Sequence, residues 1–77
     1  MKPILYMTEY CHLCEQAQQY IIQALGEPAQ EIDIIDDATL LERYQIRIPV
    51  LQRSDGAELN WPFEPTAVRD FIRQETL

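Results

Sequence analysis

Positive charge is scarce in this sequence: six Lys and Arg stand against 13 Asp and Glu, a formal net charge of -7 over 77 residues. Nucleic-acid binding depends on cations that neutralise phosphates, so no nucleic-acid partner is expected. The acidic excess is compatible with a basic partner, although solubility alone accounts for it. Long apolar runs are missing too, and those present fall far short of the roughly 20 residues a bilayer-crossing helix needs. The opening MKPILYMTEY pairs one lysine with a short apolar run that polar residues cut off, unlike a secretory signal. No membrane association and a cytoplasmic location are therefore expected. With two glycines and five prolines there is no low-complexity linker, and residues 1–77 read as one small domain. Two cysteines are too few for a disulfide framework, which usually takes four or more. A bond between residues 11 and 14 would close only a tiny loop and add little to folding stability.

What is present has a clear order. Residues 3–7, PILYM, form a short apolar run and predict a buried strand. After the loop Thr8-Glu9-Tyr10, the apolar positions Leu13, Ala17, Tyr20, Ile21, Ala24 and Leu25 have helical spacing, and Gly26 and Pro28 mark the stop. A helix is expected from Cys11 or His12 to Leu25. Residues 30–35, QEIDII, predict a second strand. Asp36 and Asp37 can cap a second helix, ATLLERY, ending near Gln45. Residues 46–53, IRIPVLQR, predict a third strand, Ser54-Asp55-Gly56 a turn, and residues 57–61, AELNW, the returning strand of a hairpin. Pro65 stands near the start of a last helix whose inner face holds Val68, Phe71 and Ile72. The order β-α-β-α-β-β-α implies an α/β domain: a four-stranded mixed sheet with three helices, its first crossover giving a parallel pair and its hairpin an antiparallel one.

Both cysteines lie at the first strand-to-helix junction, as Cys11-His12-Leu13-Cys14. A thiolate, not a thiol, attacks a disulfide, and a free cysteine is mostly protonated at neutral pH. At a helix start the unpaired N–H groups and the positive end of the macrodipole favour the anion. Cys11 has that position. Cys14, one turn on, faces the same side and can attack a mixed disulfide formed at Cys11. CxxC is also a zinc half-site, but a structural zinc takes four ligands and the chain has no further cysteine and only one histidine, so no metal is expected. His12, as imidazolium, would stabilise a neighbouring thiolate, whereas a nearby Glu9 would oppose it by like-charge repulsion.

The strand, CxxC, helix, strand, helix, Ile-Pro strand, hairpin and final helix together resemble the glutaredoxin-like proteins of the thioredoxin fold, over nearly the whole chain. The run YCHLCEQA is similar to a small branch with a CHLC motif. The resemblance implies a thiol–disulfide oxidoreductase in which Cys11 attacks and Cys14 resolves. It implies that Pro49, in Arg47-Ile48-Pro49-Val50, is a cis-proline beside the cysteine pair, and that the backbone of Ile48 pairs with bound substrate. Tyr10 would flank the thiol. Trp61 and Phe63 would form an apolar rim for a protein substrate or pack beneath the last helix. Implied partners are a protein disulfide or glutathione, acting on a monomer with no tightly bound cofactor and with glutathione as co-substrate. Two features depart from the family pattern. Thr8, Glu9 and Tyr10 stand where a basic residue usually precedes the motif. Asn60-Trp61-Pro62-Phe63-Glu64-Pro65-Thr66 replaces the Gly-Gly and Asp that hold the γ-glutamyl end of glutathione. The other functions open to the same cysteines are a cluster-binding module, with an iron–sulfur cluster held between two subunits, and a redox sensor without turnover.

Overall fold

A computed structural model describes residues 2–75. Its elements are β1 (Ile4–Met7), α1 (His12–Leu25), β2 (Gln30–Asp33), a single 3-10 turn (Ile34–Asp36), α2 (Ala38–Tyr44), β3 (Val50–Gln52), β4 (Glu58–Asn60) and α3 (Pro65–Glu75). The sheet order is β2-β1-β3-β4, with β1 parallel to β2 and antiparallel to β3, and β3 antiparallel to β4. The expected element order and mixed sheet are both present.

Alternation along the central strands sorts the core into two layers. Leu5 and Met7 of β1 and Leu51 of β3 join Ala17 and Ile21 of α1 and Val68 of α3 on one face. Ile4, Tyr6 and Val50 point the other way, where they meet Ile34, Leu40 and Tyr44. Leu5, Ile21, Leu51 and Val68 are fully buried, each contributing roughly 1.5–3 kcal/mol relative to exposure.

Local chemistry sets the boundaries. Gly26 closes α1 at φ 82, in the left-handed region, and its N–H donates to the Ile22 carbonyl at 2.8 Å. The Asp37 carboxylate caps α2 by accepting from the N–H groups of Thr39 (2.8 Å) and Leu40 (3.2 Å). In the hairpin the Gly56 N–H donates to the Arg53 carbonyl at 3.0 Å, and Gly56 has φ 93. This is a three-residue loop whose last position favours glycine.

Three expectations are corrected. The second strand stops at Asp33 rather than residue 35, because the Asp33 carboxylate accepts from the Ile35 N–H at 3.0 Å and turns the chain. Ile34 then enters the core while Ile35 is left 64% exposed. The third strand begins at Val50 rather than residue 46. The Tyr44 carbonyl accepts from both Arg47 and Ile48 N–H groups, so residues 45–48 prolong the helix end as a turn and Ile46 faces solvent. Finally, Leu13 is 47% exposed. The buried stripe of α1 is Cys14, Ala17, Gln18 and Ile21, and Leu13 lies at its flank in the first turn, about 40° of helix beyond Ala17.

Candidate functional site

The site is built at the junction of β1 and α1. The loop Thr8–Tyr10 leaves the end of β1, Tyr10 turns through the left-handed region at φ 60, and Cys11 becomes the N-cap of α1 in an extended conformation. A non-glycine residue in that region is uncommon and costs about 1–2 kcal/mol. Cys11 and Cys14 are joined as a disulfide, with their Cα atoms 5.2 Å apart. Cys11 is half-exposed, whereas Cys14 is only 2% exposed. The Cys14 N–H donates to Cys11 Sγ at 3.2 Å, and the Glu15 N–H donates to the Cys11 carbonyl. An orphan donor of the first helical turn is thus aimed at the outer sulfur. Once the pair is reduced, the same donor and the helix dipole favour a thiolate there.

An open cleft of about 640 Å³ surrounds the disulfide. Met7, Thr8, Tyr10 and His12 line it together with both cysteines, and so do Glu9, Glu15 and Glu31. His12 is fully exposed, with Nδ1 3.8 Å from Glu15 Oε2. Tyr10 is 99% exposed, so its ring stands in solvent immediately before Cys11. Among the described residues, no three His, Cys, Asp or Glu side chains converge as metal ligands.

Glu31 and Glu15 were not singled out in the sequence, and neither was Gln18, which braces Glu31. Gln18 is buried on the inner face of α1. Its Oε1 accepts from the Ala29 N–H at 2.9 Å, and its Nε2 donates to the Ala29 carbonyl at 3.0 Å and to Glu31 Oε2 at 3.1 Å. The side-chain amide completes the backbone of the segment entering β2 and holds Glu31 beside the cleft. A glutamine at an inner helical position, where the pattern calls for an apolar residue, is the signal that could have revealed it.

The other expected site residues have different surroundings. Ile48 packs against the layer of Tyr6, Tyr44 and Val50, and Pro49 is fully buried. The Ile48–Pro49 peptide bond is cis, as is Trp61–Pro62. Trp61 stacks on Tyr20 of α1 (centroids 6.1 Å apart) and meets Phe63 edge to face at 5.1 Å, and both rings join the layer under α3. Neither Ile48, Pro49 nor Trp61 is among the cleft's lining residues.

Arg47 is also accounted for. It donates to Glu58 Oε1 at 2.7 Å and to Asn60 Oδ1 at 2.9 Å, and its guanidinium lies over the Tyr44 ring. Tyr44 in turn donates its hydroxyl to Glu58 Oε2 and stacks on Tyr6. Burial works to raise the Glu58 carboxyl, but the bonds from Tyr44 and Arg47 outweigh it and hold the group below the usual carboxylate range. Burial, then the bond to Glu58, pushes the Tyr44 hydroxyl up from its ordinary value. This network occupies the α2 side of the sheet, opposite the α1–α3 layer.

Fold and site together define a thioredoxin-like domain carrying a dithiol–disulfide pair at its first strand-to-helix junction. The chain belongs to the glutaredoxin-like domain (DUF836) family, whose profile matches residues 2–73. It is similar to the Northeast Structural Genomics target protein XcR50 from X. campestris. The X-ray structure of that protein is 38% identical, covers 94% of this chain and 96% of its own, and superposes with a TM-score of 0.87. The solution structure is likewise 38% identical, with coverage of 96% and 95% and a TM-score of 0.86. No curated protein matches the chain. Family and cysteine pair support a redox role.

Proposed function

We propose that the protein is a thiol–disulfide oxidoreductase in which Cys11 attacks and Cys14 resolves. The observation that carries this reading is the asymmetry of the pair. Cys11 is half-exposed at a helix N-cap with an N–H donor on its sulfur, while its partner Cys14 is buried beneath it. An incoming disulfide meets Cys11 first, and Cys14 is within bonding reach to displace the substrate from the mixed disulfide. The substrate is a protein disulfide or a glutathione-linked disulfide, and the protein acts as a cytoplasmic monomer without a tightly bound cofactor. No helix among the described residues is long and apolar enough to cross a membrane.

Cys11→Ser should abolish reduction of a model disulfide. Cys14→Ser should accumulate a mixed disulfide on Cys11, read by mass spectrometry. Full activity in Cys11→Ser would overturn the mechanism.

A further inference from the structure

The charges around the disulfide are one-sided. Residues 3–42, which build β1, α1, β2 and α2 up to Glu42, hold eight of the 13 acidic residues and no Lys or Arg. Three of those acidic residues, Glu9, Glu15 and Glu31, line the cleft around Cys11 and Cys14, and among the described residues the only basic one lining it, His12, lies beside Glu15. Two of the six cations are paired elsewhere, Arg47 with Glu58 and Arg53 with Asp55. Glu31 is held in place by Gln18 rather than left free to swing away. Beside these groups stands the Tyr10 ring, almost entirely exposed, a face on which a cation can rest.

By themselves the carboxylates would be a solvated rim. They matter because a reactive sulfur lies among them. Cys11 must carry negative charge to attack, and three nearby carboxylates oppose that charge. A substrate that brings positive charge relieves the repulsion. It is also drawn into the cleft by the field of the rim, whereas an anionic substrate is repelled.

We propose that the site selects disulfides flanked by positive charge, and selects against anionic disulfides such as oxidised glutathione. The inference rests on the thiol–disulfide exchange proposed above. In that exchange the Cys11 thiolate attacks one sulfur of the substrate disulfide and a Cys11–substrate disulfide forms as the first substrate thiolate leaves. The Cys14 thiolate then attacks Cys11 Sγ and expels the second. Two electrons pass from the protein dithiol to the substrate, and the two protons of the protein thiols end on the released substrate thiols. The proposal makes the cationic substrate a disulfide within a Lys- or Arg-bearing protein segment or a small diamine disulfide; the chemistry recognised is the same.

The test is a single-turnover reaction of the whole chain, reduced beforehand with a dithiol and then desalted. Cystamine, the neutral bis(2-hydroxyethyl) disulfide, oxidised glutathione and a disulfide-linked Lys-rich peptide serve as substrates. Each rate is divided by that of the same disulfide with a free neutral thiol, which removes intrinsic reactivity. The normalised rate for cystamine should exceed that for oxidised glutathione by on the order of tenfold or more at low salt. The ratio should shrink towards one as ionic strength rises from about 0.01 to about 1 M and the screening length falls from about 30 to about 3 Å. The triple variant Glu9→Gln, Glu15→Gln, Glu31→Gln should lower the same ratio at low salt. A Lys-rich peptide that outpaces cystamine identifies a protein segment as the better source of the charge; the reverse order identifies a small amine. If the neutral disulfide reacts but the ratio is flat, or favours glutathione, charge selection is wrong and the exchange mechanism stands. If no disulfide reacts with the reduced protein, both fall. The salt series on the unaltered chain decides the matter even where the triple variant does not fold.

Discussion

Gln18→Leu tests whether a polar side chain, rather than an apolar one, holds α1 to the sheet. The substitution is nearly volume-conserving, so it isolates the hydrogen bonds. It deletes the acceptor for the buried Ala29 N–H, the donor to the Ala29 carbonyl and the donor to Glu31. A buried backbone group left without its partner costs about 1–3 kcal/mol, and the leucine returns part of that through apolar burial. A net loss of about 2 kcal/mol is expected, which for a domain of this size lowers Tm by roughly 8–16 °C. Urea and thermal denaturation followed by circular dichroism measure both. Gln19→Leu, at an exposed position one residue along, serves as the control and should stay within about 0.5 kcal/mol of the parent. Gln18→Glu sharpens the test. A carboxylate there still accepts from Ala29 N–H but faces the Ala29 carbonyl and Glu31, so its proton is held more tightly in the folded state than in the unfolded one. The penalty is present at neutral pH and is relieved as pH falls and the proton supplies the missing donor. If Gln18→Leu matches the control, the side-chain amide does not brace α1 against β2.

Three further outcomes follow from the same structure. Glu58 has its carboxyl held low in the folded state, so its stabilising contribution is present above the ordinary carboxyl range of about pH 4 and is lost as pH falls further; Glu58→Gln should flatten the acid limb of a stability–pH curve. Tyr44 has its hydroxyl pushed above 10.0, so its contribution is full below that pH and is lost as pH rises through the folded value, and Tyr44→Phe should flatten the alkaline limb. Tyr10→Gly should raise stability by about 0.5–1 kcal/mol in urea titration, because it relieves the left-handed backbone and removes no packing. A loss of stability would mean that the exposed ring supports the fold.

The parts of the fold legible in the sequence were those governed by local chemistry. The helix α1 is written in its apolar spacing and in Gly26, the hairpin in Ser54-Asp55-Gly56, and the start of α2 in Asp37. The boundaries at residues 34–35 and 46–48 were not legible because isoleucine favours strands wherever it stands. What decided them was a carboxylate turning back on its own chain at Asp33 and a carbonyl taking two amides at Tyr44. The cysteine pair was legible because a CxxC at a strand-to-helix junction has few other uses. The acidic lining was only half legible: Glu9 and Glu15 flank the motif, but Glu31 reaches it through the parallel pairing of β1 with β2 and the amide of Gln18. No sequence spacing encodes that juxtaposition. Trp61 was visible as an aromatic residue of interest, yet its stacking partner Tyr20 comes from α1, a distant part of the chain.

The two outer strands of the sheet have a consequence for how copies of this protein meet. β2 and β4 expose one row of backbone groups each, and they are four and three residues long. β2 carries Glu31 and Asp33, and β4 carries Glu58. Glu58 is paired with Arg47, so it is at β2 that two molecules extending the sheet edge to edge would align short strands and bring carboxylates together. The chain therefore resists the polymerisation to which open sheets are prone, and does so with charge rather than with a covering helix. That defence belongs to neutral solution. In acid, where carboxylates take up protons, the β2 edge loses that repulsion.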